Sequence, residues 1–214
     1  MSTADIAAMR EEYMARRLDE ADAAVDPIVQ FQAWFDDAVK AKLPMANAMT
    51  LATASSERRP AARMVLLKGA DERGFVFYTD YRSRKAHDLD ENPRAALLFY
   101  WIELEREVRV EGGVSKTSLE ETRAYFNSRP VGSRLAALTS VQSSVVPNRQ
   151  ALEARYTELE AKHGTTPPCP PTWGGYRVVP ETIEFWQGRA NRLHDRLVYT
   201  RSENDRWKIV RLSP

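Results

Sequence analysis

The stretch ARMVLLKGADERGFVFYTD, residues 62–80, decides the fold. Residues 62–69 are mostly apolar and read as a buried strand. Asp71, Glu72 and Gly74 form a turn cluster, and GFVFYTD (74–80) carries the aromatic and β-branched residues of a second strand. The same rhythm recurs outward from this pair. AMTLATA (48–54) lies upstream; AALLFYW (95–101) and REVRVEGG (106–113) follow as two paired strands; GYRVV, TIEFWQG, RLVYTR and RWKIVRL close the chain as further strands. Helices are few. Asp26-Pro27 signals a helix start, with Ile28, Phe31, Phe35 and Val39 at helical spacing, Trp34 beside them, and a break at Pro44. Residues 83–92 read as a short helix with Ser83 as N-cap and Pro93 as its stop. SLEETRAYFNSRP is a helix ending before Pro130, and residues 148–163 are a charged helix closed by Gly164. Many short strands with peripheral helices and no βαβ alternation predict an α+β fold, an antiparallel barrel or sandwich. There is no GxGxxG fingerprint for a Rossmann nucleotide site.

Composition narrows the function. The 31 Lys and Arg nearly balance 30 Asp and Glu, so bulk charge does not hold this chain on nucleic acid. No apolar run approaches a membrane span, and the charged N-terminus is no secretory signal. The single cysteine, Cys169, predicts a reducing compartment, the cytoplasm. His87, His163 and His194 are far apart, which predicts no metal site. Residues 1–25 read as a weakly buried charged arm, and 26–214 as one domain.

Four segments carry chemistry, all of a kind that suits anions. In RLHDR, read as a strand, Arg192, His194 and Arg196 share one face. Two guanidiniums around an imidazole suit a planar anionic ligand; a solvated strand face is the alternative. In RMVLLKG, Arg63 and Lys68 bracket an apolar run, either holding a phosphate at a barrel rim or snorkelling to water. In FYTDYRSRKAHDL, Tyr78 and Thr79 end a strand, and Arg84 and Lys85 open a helix whose N–H groups favour an anion. In YFNSRPVGSRLAALTSVQSS, Tyr125, Arg129, Ser133, Gln142 and Ser143 all donate to phosphate oxygens; a cap and turn is the alternative for Ser133. Just before RLHDR, Trp186 in IEFWQG offers a flat face for a planar cofactor, or else packs in the core.

Together RMVLLKG, FYTDYRSRKA, NPRAALLFYW, VRVEG, YFNSRP, QSS, WGGYRV, IEFWQG and NRLHDR resemble, in order, the pyridoxamine 5′-phosphate oxidase family. The resemblance covers the chain from about residue 27 to Pro214, and MREEY in the arm also fits. It implies an FMN-binding split β-barrel, an antiparallel six-stranded Greek-key-like barrel with peripheral helices. It implies a homodimer with FMN at the subunit interface and active-site strands at the C-terminus. The implied reaction takes pyridoxamine 5′-phosphate or pyridoxine 5′-phosphate to pyridoxal 5′-phosphate, with O2 as acceptor and H2O2 as product. Carried over by motif, the FMN residues are Arg63, Met64, Val65, Leu66, Leu67, Lys68, Tyr78, Thr79, Arg84, Lys85, Glu107, Gln142, Ser143, Trp186 and Arg196. Lys68, Tyr125, Arg129 and Ser133 would meet the substrate phosphate, and Arg192 and His194, as catalytic residues, the pyridoxyl ring. Arg10 and Tyr13 match a mobile segment that closes over substrate.

The chain departs from the family at Glu107 and Arg134, where Gln is common. A carboxylate only accepts hydrogen bonds, so Glu107 loses any donation to the flavin, and Arg134 is a candidate to neutralise it. A non-catalytic binder of FMN or pyridoxal phosphate on the same fold is the alternative function, and another flavin reductase a third.

Overall fold

The structure, a computed structural model, describes residues 17–202, 204 and 206–214. Arg10 and Tyr13 lie outside the described residues. The elements in chain order are α1 (Pro27–Lys40), β1 (Ala48–Ala54), β2 (Pro60–Leu66), β3 (Gly69–Asp71), β4 (Gly74–Asp80), α2 (Arg84–Glu91), β5 (Arg94–Trp101) and β6 (Arg106–Lys116). They continue with α3 (Leu119–Ser128), α4 (Val131–Thr139), α5 (Arg149–His163), β7 (Trp173–Gln187), β8 (Asp195–Arg201) and β9 (Trp207–Arg211). The strands form one nine-stranded sheet in the order β2-β1-β5-β6-β7-β4-β3, with β8 joining β7 to β9. β3–β4, β4–β7, β7–β8 and β8–β9 are antiparallel.

The chain divides into two compact units. One comprises the described residues of Met1–Met49 with Leu97–Glu111 and Pro180–Pro214. Its core is aromatic: Phe31 of α1 lies 5.0 Å from Phe99, Trp34 meets Phe185 edge-on at 5.3 Å, and Phe185 meets Tyr199 at 5.5 Å. Arg106 is buried beneath Trp34, paired to Asp37 at 2.9 Å and to Gln187 at 3.0 Å. The second unit comprises Thr50–Ala96 and Gly112–Val179. Phe75, Val76 and Phe77 of β4 are all buried there, so this strand is covered on both faces.

Local chemistry explains most elements. Asp26 accepts from the Ile28 N–H and starts α1; Ser118 and Asn148 cap α3 and α5 in the same way. The buried stripe of α1 is Ile28, Phe31, Trp34 and Ala38, whereas Val39 is 54% exposed: the apolar face is rotated from the expected Phe35–Val39 edge.

Four other expectations need correction. Residues 62–69 are not one buried strand. β2 ends at Leu66, lies at the end of the sheet order, and is only half-buried. GYRVV and TIEFWQG are not separate strands but parts of β7, whose residues 173–178 pair with β4 and 182–187 with β8. Pro180 falls between those two stretches, where its missing N–H breaks neither pairing. The sequence predicts a turn at Pro130, but that residue stands at the N-cap of α4. The arm is not weakly buried throughout: Leu18 is buried, and its N–H donates to Asp195 at 3.1 Å.

Candidate functional site

The second unit contains a cavity of about 920 Å³. Its size suits a cofactor-sized ligand. β2 supplies one wall through Arg63, Met64, Val65 and Leu66, with Lys68 just beyond the strand end. Tyr78 and Thr79 come from the end of β4, and Arg84 and Lys85 from the first turn of α2. Tyr125, Arg129 and Ser133 come from α3, its C-cap and α4; Gln142 and Ser143 from the loop beyond. Fourteen residues singled out from the sequence therefore line one space. Leu67 does not: it is buried beside the wall instead.

The cations are held by built networks. Arg63 Nη1 donates to Thr53 Oγ1 at 2.7 Å and to the Leu51 carbonyl at 3.2 Å. Thr53 in turn donates to Asp88 Oδ2 at 2.6 Å, and that oxygen stands 3.5 Å from Arg63 Nη2. Lys85 is buried and donates to Gln142 Oε1 at 2.9 Å, Thr79 Oγ1 at 3.1 Å and Ser83 Oγ at 3.4 Å. No carboxylate is among those three acceptors, and burial, with Arg63 adding to it, pushes the Lys85 ammonium below its ordinary pKa. Ser143 adopts φ 72°, and its hydroxyl accepts the Arg84 N–H at 3.3 Å, covering a donor at the start of α2. Tyr78 and Tyr125 stack at 4.1 Å, and Lys68 Nζ lies 6.0 Å from the Tyr125 ring. Arg129 Nη1 is buried with no hydrogen-bond partner among the described residues.

Glu107, Trp186, Arg192, His194 and Arg196 belong to the first unit. The strand reading of RLHDR is corrected. Ala190–Arg192 is a short 3-10 turn with Asn191 and Arg192 at φ 56° and 62°, and β8 begins only at Asp195. Left-handed backbone at two successive residues breaks the period-two alternation on which a shared Arg192–His194–Arg196 face depended. Arg192 is exposed. His194 packs on Trp186 at 4.7 Å, and its Nδ1 accepts the Arg189 N–H at 3.1 Å, which leaves Nε2 to carry the proton of the neutral ring. Burial, and then Arg192, lower the His194 pKa. Trp186 is half-buried, not a core residue, and pairs across strands with Arg196. Arg196 donates to Glu184 at 2.6 Å, and Arg109 pairs with the other oxygen of Glu184. Glu107 sits among these groups; burial raises its pKa, Arg109 and Arg196 oppose that, and Glu184 adds to it. The cations around Glu107 are thus Arg109 and Arg196, while Arg134 donates to the Thr165 carbonyl at 3.3 Å.

Sequence reasoning missed Trp173, Thr53 and Asp88. Trp173 lines the cavity from the first residue of β7, and the following Gly174-Gly175 pair was its signal: a Cβ at Gly175 would stand 2.8 Å from the Tyr78 ring. Thr53 and Asp88 left no signal, because they act through Arg63.

An antiparallel sheet and a cavity ringed by Arg63, Lys68, Arg84, Lys85 and Arg129 define a protein shaped for anionic, ring-bearing ligands. Residues 35–163 match the pyridoxamine 5′-phosphate oxidase family, and residues 173–214 match the pyridoxine 5′-phosphate oxidase C-terminal dimerisation region. The chain belongs to the pyridoxamine 5′-phosphate oxidase family. It is 60% identical over 211 residues to the pyridoxine/pyridoxamine 5′-phosphate oxidase of Burkholderia multivorans, covering 98% of this chain and 99% of that one. It is 58% identical to that of Paraburkholderia phymatum over the full length of both. Among solved structures, PhzG from Burkholderia lata, in complex with tetrahydrophenazine-1-carboxylic acid, superposes with a TM-score of 0.88 at 34% identity, covering 94% and 99% of the two chains. An FMN binding protein from Nostoc punctiforme shares the fold, with a TM-score of 0.70 at 20% identity over 89% and 100%. No helix among the described residues is long and apolar enough to cross a membrane.

Proposed function

We propose that this chain is an FMN-dependent oxidase that converts pyridoxamine 5′-phosphate or pyridoxine 5′-phosphate to pyridoxal 5′-phosphate in the cytoplasm. O2 is the acceptor. The alcohol yields H2O2; the amine consumes one water and yields ammonia with H2O2. The observation that carries this reading is one cavity lined by five cations, Arg63, Arg84 and Lys85, which feel one another's charge, together with Lys68 and Arg129. That much positive charge suits two phosphorylated ligands.

The donor set fits FMN: Arg63, Arg84, Lys85, Ser143 and the start of α2 offer charge-assisted and hydroxyl donors for a phosphate. The orphaned Arg129 Nη1 calls for a further acceptor. FMN, when bound, supplies the redox chemistry. The protein's own work is to bind and orient. Arg129, Lys68, Tyr125 and Ser133 would hold the substrate phosphate. Met64, Val65 and Leu66 would exclude water from one wall. Glu107, Trp186, Arg192, His194 and Arg196 would act as the partner-facing part of the site in a homodimer, consistent with the dimerisation-region match over residues 173–214. There Arg192 would cover the pyridoxyl ring, and His194 would hold or move a proton at Nε2. Arg10 and Tyr13 would close over the substrate.

The likeness to PhzG supports a second reading, oxidation of a reduced tricyclic carboxylic acid. The relatives near 60% identity that are named for the vitamin favour the first. The test is anaerobic addition of pyridoxamine 5′-phosphate to the yellow protein. Bleaching, with recolouring in air, is expected. A coloured protein that never bleaches with either vitamin phosphate overturns the proposal.

A further inference from the structure

Arg129, half-buried, is held unlike the half-buried Arg63 and the buried Arg106 and Arg177. Arg63 meets Asp88, Arg106 meets Asp37, and Arg177 meets both Asp71 and Glu121. Among the described residues no carboxylate pairs with Arg129. Its guanidinium lies over the Trp173 ring at 4.7 Å, with Phe126 at 5.7 Å. Trp173 is itself fixed by rings: Phe126 meets it edge-on at 5.1 Å, and Tyr78 stacks on it at 5.3 Å and 11°. A carboxylate partner would cancel the guanidinium's charge. A π face attracts the cation through its quadrupole and leaves the net charge in place. One buried nitrogen, Nη1, is then left with no partner, on a residue that lines the cavity.

We propose that Trp173 is a positioning residue whose ring holds Arg129 against the cavity wall without neutralising it, keeping the guanidinium available to the substrate's phosphate. This rests on the proposed function, in which Arg129 meets that phosphate. Trp173 thereby acts on the phosphorylated end of the ligand and not on the pyridine ring. If Trp173 were only packing, its loss would weaken phosphorylated and unphosphorylated ligands alike.

The test uses the FMN-loaded full chain and measures dissociation constants for pyridoxal 5′-phosphate and for pyridoxal. Far-UV circular dichroism and FMN content serve as fold checks. In the unmodified protein the phosphate form binds more tightly, and Arg129→Gln collapses that preference. Trp173→Leu is expected to cut the preference by about tenfold while pyridoxal binding stays within about twofold. Trp173→Phe keeps a ring with a weaker π face and should cut it by about two- to threefold; it carries the test alone if Trp173→Leu does not fold. An unchanged preference in the Trp173 variants, or equal weakening of both ligands, overturns the inference. Equal binding of both ligands by the unmodified protein overturns the proposed function as well, and is told apart because no substitution is needed to see it.

Discussion

Gln142 Oε1 accepts from Lys85 Nζ at 2.9 Å, so a neutral amide helps hold a buried ammonium at the cavity. Burial lowers the Lys85 pKa below its ordinary 10.5. A base whose folded pKa is depressed subtracts from stability below that folded value, and the penalty disappears between it and the unfolded value. The penalty is larger at neutral pH than near pH 10.5. Lys85→Met should therefore raise the melting temperature of FMN-stripped protein at pH 7, and narrow that gain as the pH approaches 10.5. The same change should weaken FMN binding by about tenfold or more, through loss of a charge-assisted donor. Thermal melts and flavin fluorescence titration check the two halves; a lower melting temperature with unchanged FMN affinity would refute both.

Thr53 accepts from Arg63 and donates to Asp88, a relay that fixes the guanidinium on β2. Thr53→Val removes both bonds and keeps the shape. It should destabilise the protein by about 1–3 kcal/mol in urea unfolding, since a buried carboxylate loses its hydroxyl donor. FMN affinity should fall with it, because Arg63 loses its anchor. Full retention of both properties would show that the relay positions nothing.

The extent to which this was legible in sequence follows from what each residue acts upon. Strand ends, turn signals and the caps at Asp26, Ser118 and Asn148 act locally, so their elements could be read directly. The cavity's cations were legible because Arg63, Arg84, Lys85 and Arg129 sit in short motifs that point to anions. Asp88 was not, because its role exists only once α2 brings it near β2. The turn at Asn191 and Arg192 was hidden because neither residue is glycine, the usual mark of left-handed backbone. α4 was hidden by Pro130, which can open a helix as readily as break a chain.

Gly175 allows the ring stack to approach β7. A Cβ there would lie 2.6 Å from Thr117 Oγ1 and 2.8 Å from the Tyr78 ring. Gly175→Ala must displace Tyr78, which stacks on both Tyr125 and Trp173. The expected cost is about 1–3 kcal/mol of stability by urea unfolding, as for other overpacked sites. Pyridoxal 5′-phosphate should also bind more weakly. An alanine variant as stable as the parent would mean that the stack yields without cost.

Glu107 is half-buried, and its pKa is raised chiefly by burial, against the pull of Arg109 and Arg196. For an acid whose folded pKa is raised, the folded state holds its proton more tightly than the unfolded chain. Stability is then undiminished below the unfolded value, and the penalty grows as pH rises from there through the folded pKa. Glu107→Gln keeps the size and removes the charge. The variant and parent should melt alike below about pH 4.5, and the variant should gain an advantage as the pH rises above it. A gain of a few degrees is the expected scale, since ~1 kcal/mol moves the midpoint by about 2–4 °C in a chain of this size. The amide also restores a donor that the carboxylate lacks. On the proposed function, FMN should therefore bind the variant more tightly at pH 7, by about two- to tenfold. Arg196 keeps Glu184 as its partner in either case, so the gain belongs to position 107 and not to a rearranged ion pair. Equal melting temperatures across the pH range, together with equal FMN affinity, would show that Arg109 and Arg196 already offset the charge completely.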